Sequence, residues 1–447
     1  MGNQSQSTLK QVHYFDLLRL HQLNPERYPH LLESVVHGTP HSRYDILFAF
    51  PADTISSNSG AFLPQLSDAW QSERLSSVSS PLPFNGGWFV YLGYETAEEI
   101  ESTLQLSQLD NTSLPVAFAT RFPAALIRDH QDQCTYLVSE PGQEALISQI
   151  QNDIAALDAN DATFIIPNVT RVSEDDPQNF LDGVERIREY IRDGDVFQVN
   201  LSRAWSIEVE DTIPGQVYQA LRTHNPAPFA ALVTYADNAI ISSSPERLVD
   251  ANGDQASTRP IAGTRPRSSN KTADIAYSET LMAHPKERAE HVMLIDLERN
   301  DLGRVCQPGS IKVDELMVLE SYAHVHHIVS NVSGRLRAGV SPVDVIRAVF
   351  PGGTITGCPK VRCMEIIQEL EKTARGPYTG SVGYISHCGR MDLNILIRTI
   401  LMEGNRLSFR TGAGIVTDSI AKNELRETRA KALGLLKALG IEEHVST

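Results

Sequence analysis

Two pairs of glutamates carry the clearest hint of chemistry in this chain. Glu287 and Glu290 stand three residues apart in Lys286-Glu287-Arg288-Ala289-Glu290-His291, and Glu424 and Glu427 repeat that spacing in Asn423-Glu424-Leu425-Arg426-Glu427-Thr428. On a helix, residues three apart share a face. Magnesium takes one or two protein carboxylates and fills its other positions with water and substrate oxygens, so two acidic faces brought together would suit it. Solvated glutamates on helix surfaces are the other reading, and spacing alone leaves both open. Lys431 follows Glu427 on the same face of the last helix, with Leu425, Ala432, Leu433 and Leu436 on the packing side.

Further groups lie near glycines and strand ends. The run from Phe350 through Gly352, Gly353 and Thr354 to Gly357 is too glycine-rich for a packed strand, and Pro359 opens a helix after it. Exposed backbone N–H groups beside a helix N-terminus suit a carboxylate or phosphate. Gly412-Ala413-Gly414 offers another close backbone approach; a plain turn explains either segment equally well. Neither ends in Gly-Lys-Ser/Thr, so nothing indicates a nucleoside triphosphate. Ser244-Pro245-Glu246 sets a carboxyl at the end of an apolar run, which suits a general acid in dry surroundings. An exposed glutamate would read the same. His327, with His324 and His326 nearby, alternates with Val325, Ile328 and Val329, so a strand face would present it to a site unless the three are ordinary polar strand residues.

Definite elements must position these groups. Asp176-Pro177 caps a helix whose buried stripe is Phe180, Val184, Ile187 and Ile191, with Gly194 at its end. Strands are predicted over 197–209, 229–234, 239–243, 380–386 and 407–411, and helices over 286–297, 360–371 and 421–439. Nearer the N-terminus, 31–34, 44–50 and the glycine-flanked run 83–94 read as strands, and 144–157 as a helix. Strands without regular helical alternation indicate α+β. The chain divides into 1–145, contributing strands; 146–175, a connector with a helix; and 176–447, the catalytic region.

Composition narrows the partners. The 447 residues are 41% hydrophobic and 21% charged, an ordinary globular balance, with a formal net charge of −16. Nucleic acid and anionic membrane both require basic surface, so neither is expected. An anionic substrate would need local positive charge. No run approaches bilayer length, and the N-terminus lacks the pattern of a signal peptide. Cys134, Cys306, Cys358, Cys363 and Cys388 fit neither a disulfide framework nor a zinc site. The expected compartment is the cytoplasm.

Taken together, these residues resemble the chorismate-utilising enzymes, which include the anthranilate, aminodeoxychorismate, isochorismate and salicylate synthases. The likeness rests on Phe197-Gln198-Val199-Asn200-Leu201-Ser202-Arg203, Ser244-Pro245-Glu246, Arg259-Pro260-Ile261-Ala262-Gly263-Thr264-Arg265 and the segments 286–291, 296–304, 324–330, 350–360 and 412–431. It implies an α+β body of two large antiparallel β-sheets packed face to face, with surrounding helices. It implies Mg2+ on Glu290 and Glu427, with Glu287 and Glu424 holding the metal's waters, over the ring carboxylate of chorismate. Glu246 becomes the acid that protonates the departing 4-hydroxyl. Thr264 and His327 line the ring pocket; Thr354, Tyr378, Arg398, the Gly412-Ala413-Gly414 backbone and Lys431 grip the carboxylates.

The resemblance also bears on the nucleophile. Water-using members carry a lysine base where this chain has Gln198, and a neutral amide cannot deprotonate water. Ammonia needs no such base, so amination is expected. A separate glutamine amidotransferase subunit should supply the ammonia, because no Gly-x-Cys-x-Gly elbow surrounds a cysteine. Gln198-Val199-Asn200-Leu201, Glu320-Ser321-Tyr322-Ala323-His324 and Pro351-Gly352-Gly353-Thr354 favour 4-amino-4-deoxychorismate, the route to para-aminobenzoate and folate. Ala262 stands where many such enzymes carry a nucleophilic lysine, which keeps anthranilate formation as the alternative. Leu31-Leu32-Glu33-Ser34 resembles the tryptophan-binding element of anthranilate synthases, so Leu32, Glu33 and Ser34 mark such a pocket or a plain core strand. A non-catalytic regulatory protein that binds an aromatic amino acid is a third reading, opposed by intact Glu246, Glu290, Glu427 and Lys431.

Overall fold

In the computed structural model, which describes residues 8–36, 42–75, 80–108, 113–157, 166–268, 270–321 and 325–441, the apolar runs pair into two large sheets. All strand pairings among the described residues that join these sheets are antiparallel. The first sheet has twelve strands. Its path runs Thr8–His13, Cys134–Ser139, Ala124–Asp129, Tyr44–Ala49, His30–Glu33, Phe229–Tyr235, Asn238–Ser244, Thr399–Glu403, Arg406–Ile415, Gln198–Glu210 and Gly357–Cys358, with Asn168–Glu174 beside Gln198–Glu210. The second has ten: Ile261–Pro266, Val325–Arg335, Gln255–Thr258, Arg247–Asn252, Met391–Asn394, Ser381–Ser386, Gly87–Leu92, Ala117–Phe122 and Thr54–Ser57, with Lys312–Ser321 beside Val325–Arg335. Residues before 140 thus enter both sheets.

The sheets meet face to face. Ile46, Phe48, Ile127, Val233 and Leu401 from the first pack against Phe89, Tyr91, Phe118, Val382 and Tyr384 from the second. Each large apolar side chain buried this way contributes roughly 1.5–3 kcal/mol. The outer face of the first sheet is covered by the helices Glu144–Ala156, Pro214–His224 and Ala421–Ala438, and that of the second by Phe62–Glu73, Pro285–Gly303 and Pro342–Val349. The helices Pro177–Asp193 and Lys360–Glu371 pack on Gln198–Glu210 through Phe180, Val184, Ile187, Ile366, Val199 and Leu201.

Local signals explain several boundaries. Asp176 accepts from the Gln178 N–H ahead of Pro177, and Gly194 at φ 86° ends that helix. The helix expected over 286–297 extends to Gly303. It settles against the glycine turn because a Cβ on Gly353 would lie 2.3 Å from Leu297 Cδ2.

Candidate active site

The strand Gln198–Glu210 turns Val199 and Leu201 into the helical core, so Gln198, Asn200 and Ser202 face the other way. Its neighbour Arg406–Ile415 sets Gly414 opposite Asn200 and Gly412 opposite Ser202. The polar groups come close to this backbone. A Cβ on Gly412 would stand 2.6 Å from Asn200 Oδ1 and 2.8 Å from the Tyr378 hydroxyl; one on Gly414 would stand 2.5 Å from Gln198 Nε2. Lys431, from the helix Ala421–Ala438, donates to the Gly412 carbonyl at 3.0 Å and pairs with Glu427 at 2.8 Å. Gly412, Ala413, Gly414, Tyr378, Gln198 and Lys431 therefore converge.

Glu246 and Arg398 meet because the chain crosses between sheets twice at one place. Glu246 lies between Asn238–Ser244 of the first sheet and Arg247–Asn252 of the second, and Arg398 between Met391–Asn394 of the second and Thr399–Glu403 of the first. The crossovers run side by side, tied by Ile395 N–H to Glu246 O at 3.0 Å and Ser243 N–H to Arg398 O at 3.1 Å. Arg398 holds φ at 52°, a left-handed conformation uncommon for a side chain of this size. Its guanidinium makes no hydrogen bond or ion pair among the described residues; burial lowers its pKa, and the nearby charge of Glu246 opposes that shift.

Glu246 is 5% exposed, and its Oε1 is buried without a hydrogen-bond partner among the described residues. Burial pushes its pKa up to about 7, against the opposing pull of the Thr354 hydroxyl, the Ile261 N–H, Lys431 and Arg398. A carboxyl so placed holds its proton near neutrality and can donate it. His327 is also buried, and burial together with Arg398 drives its pKa down to about 4, so its ring is neutral. Thr264 pairs with His327 through the strand ladder; its side chain lies outside the described residues, as do Tyr322, Ala323 and His324. Ala262, 9% exposed, pairs with Ile328.

The four glutamates occupy two helices. Glu287 and Glu290 ride on Pro285–Gly303, which packs against Ile261–Pro266; Glu287 lies 3.4 Å from Arg265, and its Oε2 would stand 2.9 Å from a Cβ on Gly263. Glu290 is half-buried. Glu424 is buried and Glu427 exposed on Ala421–Ala438, which packs against Arg406–Ile415. Among the described residues no group of three or more His, Cys, Asp or Glu gathers to hold a metal ion. Magnesium itself requires only one or two protein carboxylates, with waters completing its shell. An arginine on Glu287 and a lysine on Glu427 show that both pairs lie within reach of positive charge.

Behind the glycine strand lies a network that sequence reasoning missed. Glu371 accepts from Arg375 at 2.6 Å, from Arg410 at 3.0 Å and from the Ser202 N–H and hydroxyl at 2.8 Å. Arg375 also donates to the Asn200 carbonyl at 2.8 Å and the Ile355 carbonyl at 3.2 Å. Burial works to raise the Glu371 pKa, but the two guanidiniums outweigh it and hold the carboxyl ionised. Two cations against one anion leave positive charge under the site. The four-residue spacing of Glu371 and Arg375 was the only local signal. Asn200 stood in a quoted motif, and its two-residue spacing from Gln198 was the cue to a shared face.

A separate cavity of about 620 Å³ opens between the sheets, lined by Leu32, Glu33 and Ser34 together with Arg247, Asp250 and Asp392 among others. Glu33 is fully engaged there. It accepts from Arg128 at 3.1 Å, Arg222 at 3.1 Å and the Tyr218 hydroxyl at 2.7 Å.

Comparison with known proteins bears on the family and the fold. The family described as chorismate binding enzyme matches residues 32–437. An anthranilate synthase component I-like protein of Synechocystis is 43% identical over 381 residues, covering 85% of this chain and 78% of that protein. The aminodeoxychorismate synthase component 1 of Bacillus subtilis is 43% identical over 378 residues, covering 80% and 78%. Among solved structures, anthranilate synthase component I from Streptococcus pneumoniae superimposes with a TM-score of 0.79 at 32% identity, covering 90% of this chain and 93% of that one. The menaquinone-specific isochorismate synthase of Escherichia coli, 18% identical with a TM-score of 0.76, shares the fold of two antiparallel sheets with helices outside. Match length and sequence identity lead to one conclusion: the chain belongs to the chorismate-binding enzyme family.

Proposed function

We propose that this chain aminates chorismate with ammonia, in the presence of Mg2+, to give 4-amino-4-deoxychorismate. The observation that carries the reading is the buried Glu246 carboxyl beside the unpaired Arg398, an acid next to an anion grip. Glu246 donates its proton to the 4-hydroxyl, the C–O bond breaks and water leaves. The ammonia lone pair forms the new C–N bond, and the proton shed by the amine restores the Glu246 carboxyl. Arg398, Lys431, Tyr378 and the Gly412–Gly414 backbone orient the two carboxylates, while neutral His327 and Thr264 border the ring. Gln198 supports ammonia over water because no base stands at that position. The name of the B. subtilis relative supports the same product.

Glu290 and Glu427 would hold the metal, with Glu287 and Glu424 on its waters. Bound there, Mg2+ supplies positive charge that shields the ring carboxylate from four glutamates. A separate glutamine amidotransferase subunit would deliver the ammonia, and the cytoplasm is the matching compartment; no helix among the described residues is long and apolar enough to cross a membrane. The inter-sheet cavity, lined by Leu32, Glu33 and Ser34, is read as a pocket for an aromatic amino acid of the tryptophan type.

The second reading is anthranilate formation. Ala262 favours it, since a methyl group cannot attack the ring, and so does the name of the Synechocystis relative. One assay separates the two: the purified chain with chorismate, Mg2+ and ammonium, with and without a lyase that acts on aminodeoxychorismate. Para-aminobenzoate only when the lyase is present supports the proposal. Fluorescent anthranilate without it supports the alternative, and no turnover either way refutes both.

A further inference from the structure

Two buried acceptors next to the anion grip are left without donors. Gln198 Oε1 and Asn200 Oδ1 are both fully enclosed and have no hydrogen-bond partner among the described residues. They project from the same face of one strand, two residues apart, which sets their backbones about 7 Å from each other. A buried acceptor with no donor costs about 1–3 kcal/mol, and native structures keep few of them. Two on one strand face, beside groups that suit carboxylates, are open to a ligand with N–H or O–H groups.

The surroundings select the ligand's chemistry. Arg398, Lys431 and the Tyr378 hydroxyl supply donors, and these suit carboxylates. A carboxylate cannot satisfy an amide oxygen, since neither has a hydrogen to give. Both amides lie against glycine backbone: a Cβ on Gly414 would stand 2.5 Å from Gln198 Nε2 and one on Gly412 2.6 Å from Asn200 Oδ1. The occupant must bring N–H or O–H groups to donate. Resting on the amination reading above, we infer that Gln198 and Asn200 together form an acceptor pair that seats the ammonia nucleophile, with Asn200 a substrate-contacting residue. The Asn200 main chain is fixed for this by Arg375, which donates to its carbonyl, and by its own N–H to the Thr356 carbonyl at 2.9 Å.

The test is steady-state kinetics of the full chain with saturating chorismate and Mg2+ and titrated ammonium chloride. Asn200→Leu keeps the side-chain volume and removes the acceptor; Asn200→Asp keeps an acceptor. The expected result is a KM for ammonia raised about tenfold or more in Asn200→Leu, an unchanged KM for chorismate, and recovery to within a few-fold in Asn200→Asp. An unchanged KM for ammonia overturns the subsite, and so does a parallel rise in both KM values. Should Asn200→Leu fail to fold, Asn200→Ser, which shortens the reach, must show the same selective rise or the subsite falls. An unaltered chain that forms no amine from ammonium overturns the amination reading itself, whereas an unaltered chain that aminates while its Asn200 variants match it overturns the subsite alone.

Discussion

The crossover site and the inter-sheet cavity are both lined by buried charge, yet they treat it oppositely. Around Glu33 every carboxylate has an arginine: Arg128 and Arg222 flank Glu33, Arg128 also pairs with Asp45, and Arg222 with Asp16. Among the described residues, one Glu246 carboxylate oxygen and the Gln198 and Asn200 amide oxygens have no hydrogen-bond partner, and the Arg398 guanidinium makes no hydrogen bond or ion pair. Charges that answer one another hold structure together. Charges and acceptors left open, at a cost of about 1–3 kcal/mol each, persist where a ligand completes them. On the proposed reading, this contrast separates Glu246, the working carboxyl, from Glu33, a structural one, although both are nearly inaccessible.

Substitution separates the two regions most sharply. Glu246→Gln removes the proton and keeps the shape; kcat should fall about 10²–10⁴-fold while the melting temperature holds or rises. Activity near that of the unaltered chain would break the assignment. Glu33→Ala should do the reverse. It takes the acceptor from the Tyr218 hydroxyl and one of two carboxylate partners from each of Arg128 and Arg222, and should lower the unfolding free energy by about 1–3 kcal/mol in denaturant titration, with kcat at low temperature little changed. A stable Glu33→Ala chain would show that the network is not structural.

Smaller effects sharpen the same contrast. Arg398→Ala should raise the KM for chorismate about 10–100-fold, the weight of a charge-assisted hydrogen bond, with little loss of stability because no internal partner is left behind. Loss of stability without a KM change would place Arg398 among the structural charges. The pH dependence follows from Glu246. Its carboxyl acts only when protonated and its pKa is raised to about 7, so kcat/KM for chorismate at constant free ammonia should be level below that pH. Above it, the value should fall about tenfold per unit, and Glu246→Gln should lack that limb.

Local patterns revealed the pieces but not their meeting. The helix at Pro177–Asp193 was legible from its cap, stripe and closing glycine, and the strand at Gln198–Glu210 from what followed. Three strands over 117–139 went unassigned because most of their residues are buried on both faces, so apolar and polar positions do not alternate. The helix Phe62–Glu73 was missed because no neighbouring side chain caps its start; the Phe62 and Leu63 N–H groups go instead to Glu99, distant in sequence. Glu246 and Gln198 could be nominated from motifs. That Arg398 would lie beside Glu246, about 150 positions earlier in the chain, depends on two crossovers between sheets, which no local spacing encodes. The tie from Arg410 to Glu371 likewise exists only after the strand Arg406–Ile415 docks beside Gln198–Glu210.

A crystal structure of the chain with chorismate and Mg2+ tests the central claim most directly. The account predicts chorismate at the crossover, its 4-oxygen within hydrogen-bond reach of Glu246, one carboxylate on Arg398 or Lys431, and the metal between Glu290 and Glu427. Chorismate seated instead in the cavity beside Glu33, or at the crossover with Glu246 turned away from the 4-oxygen, would contradict it.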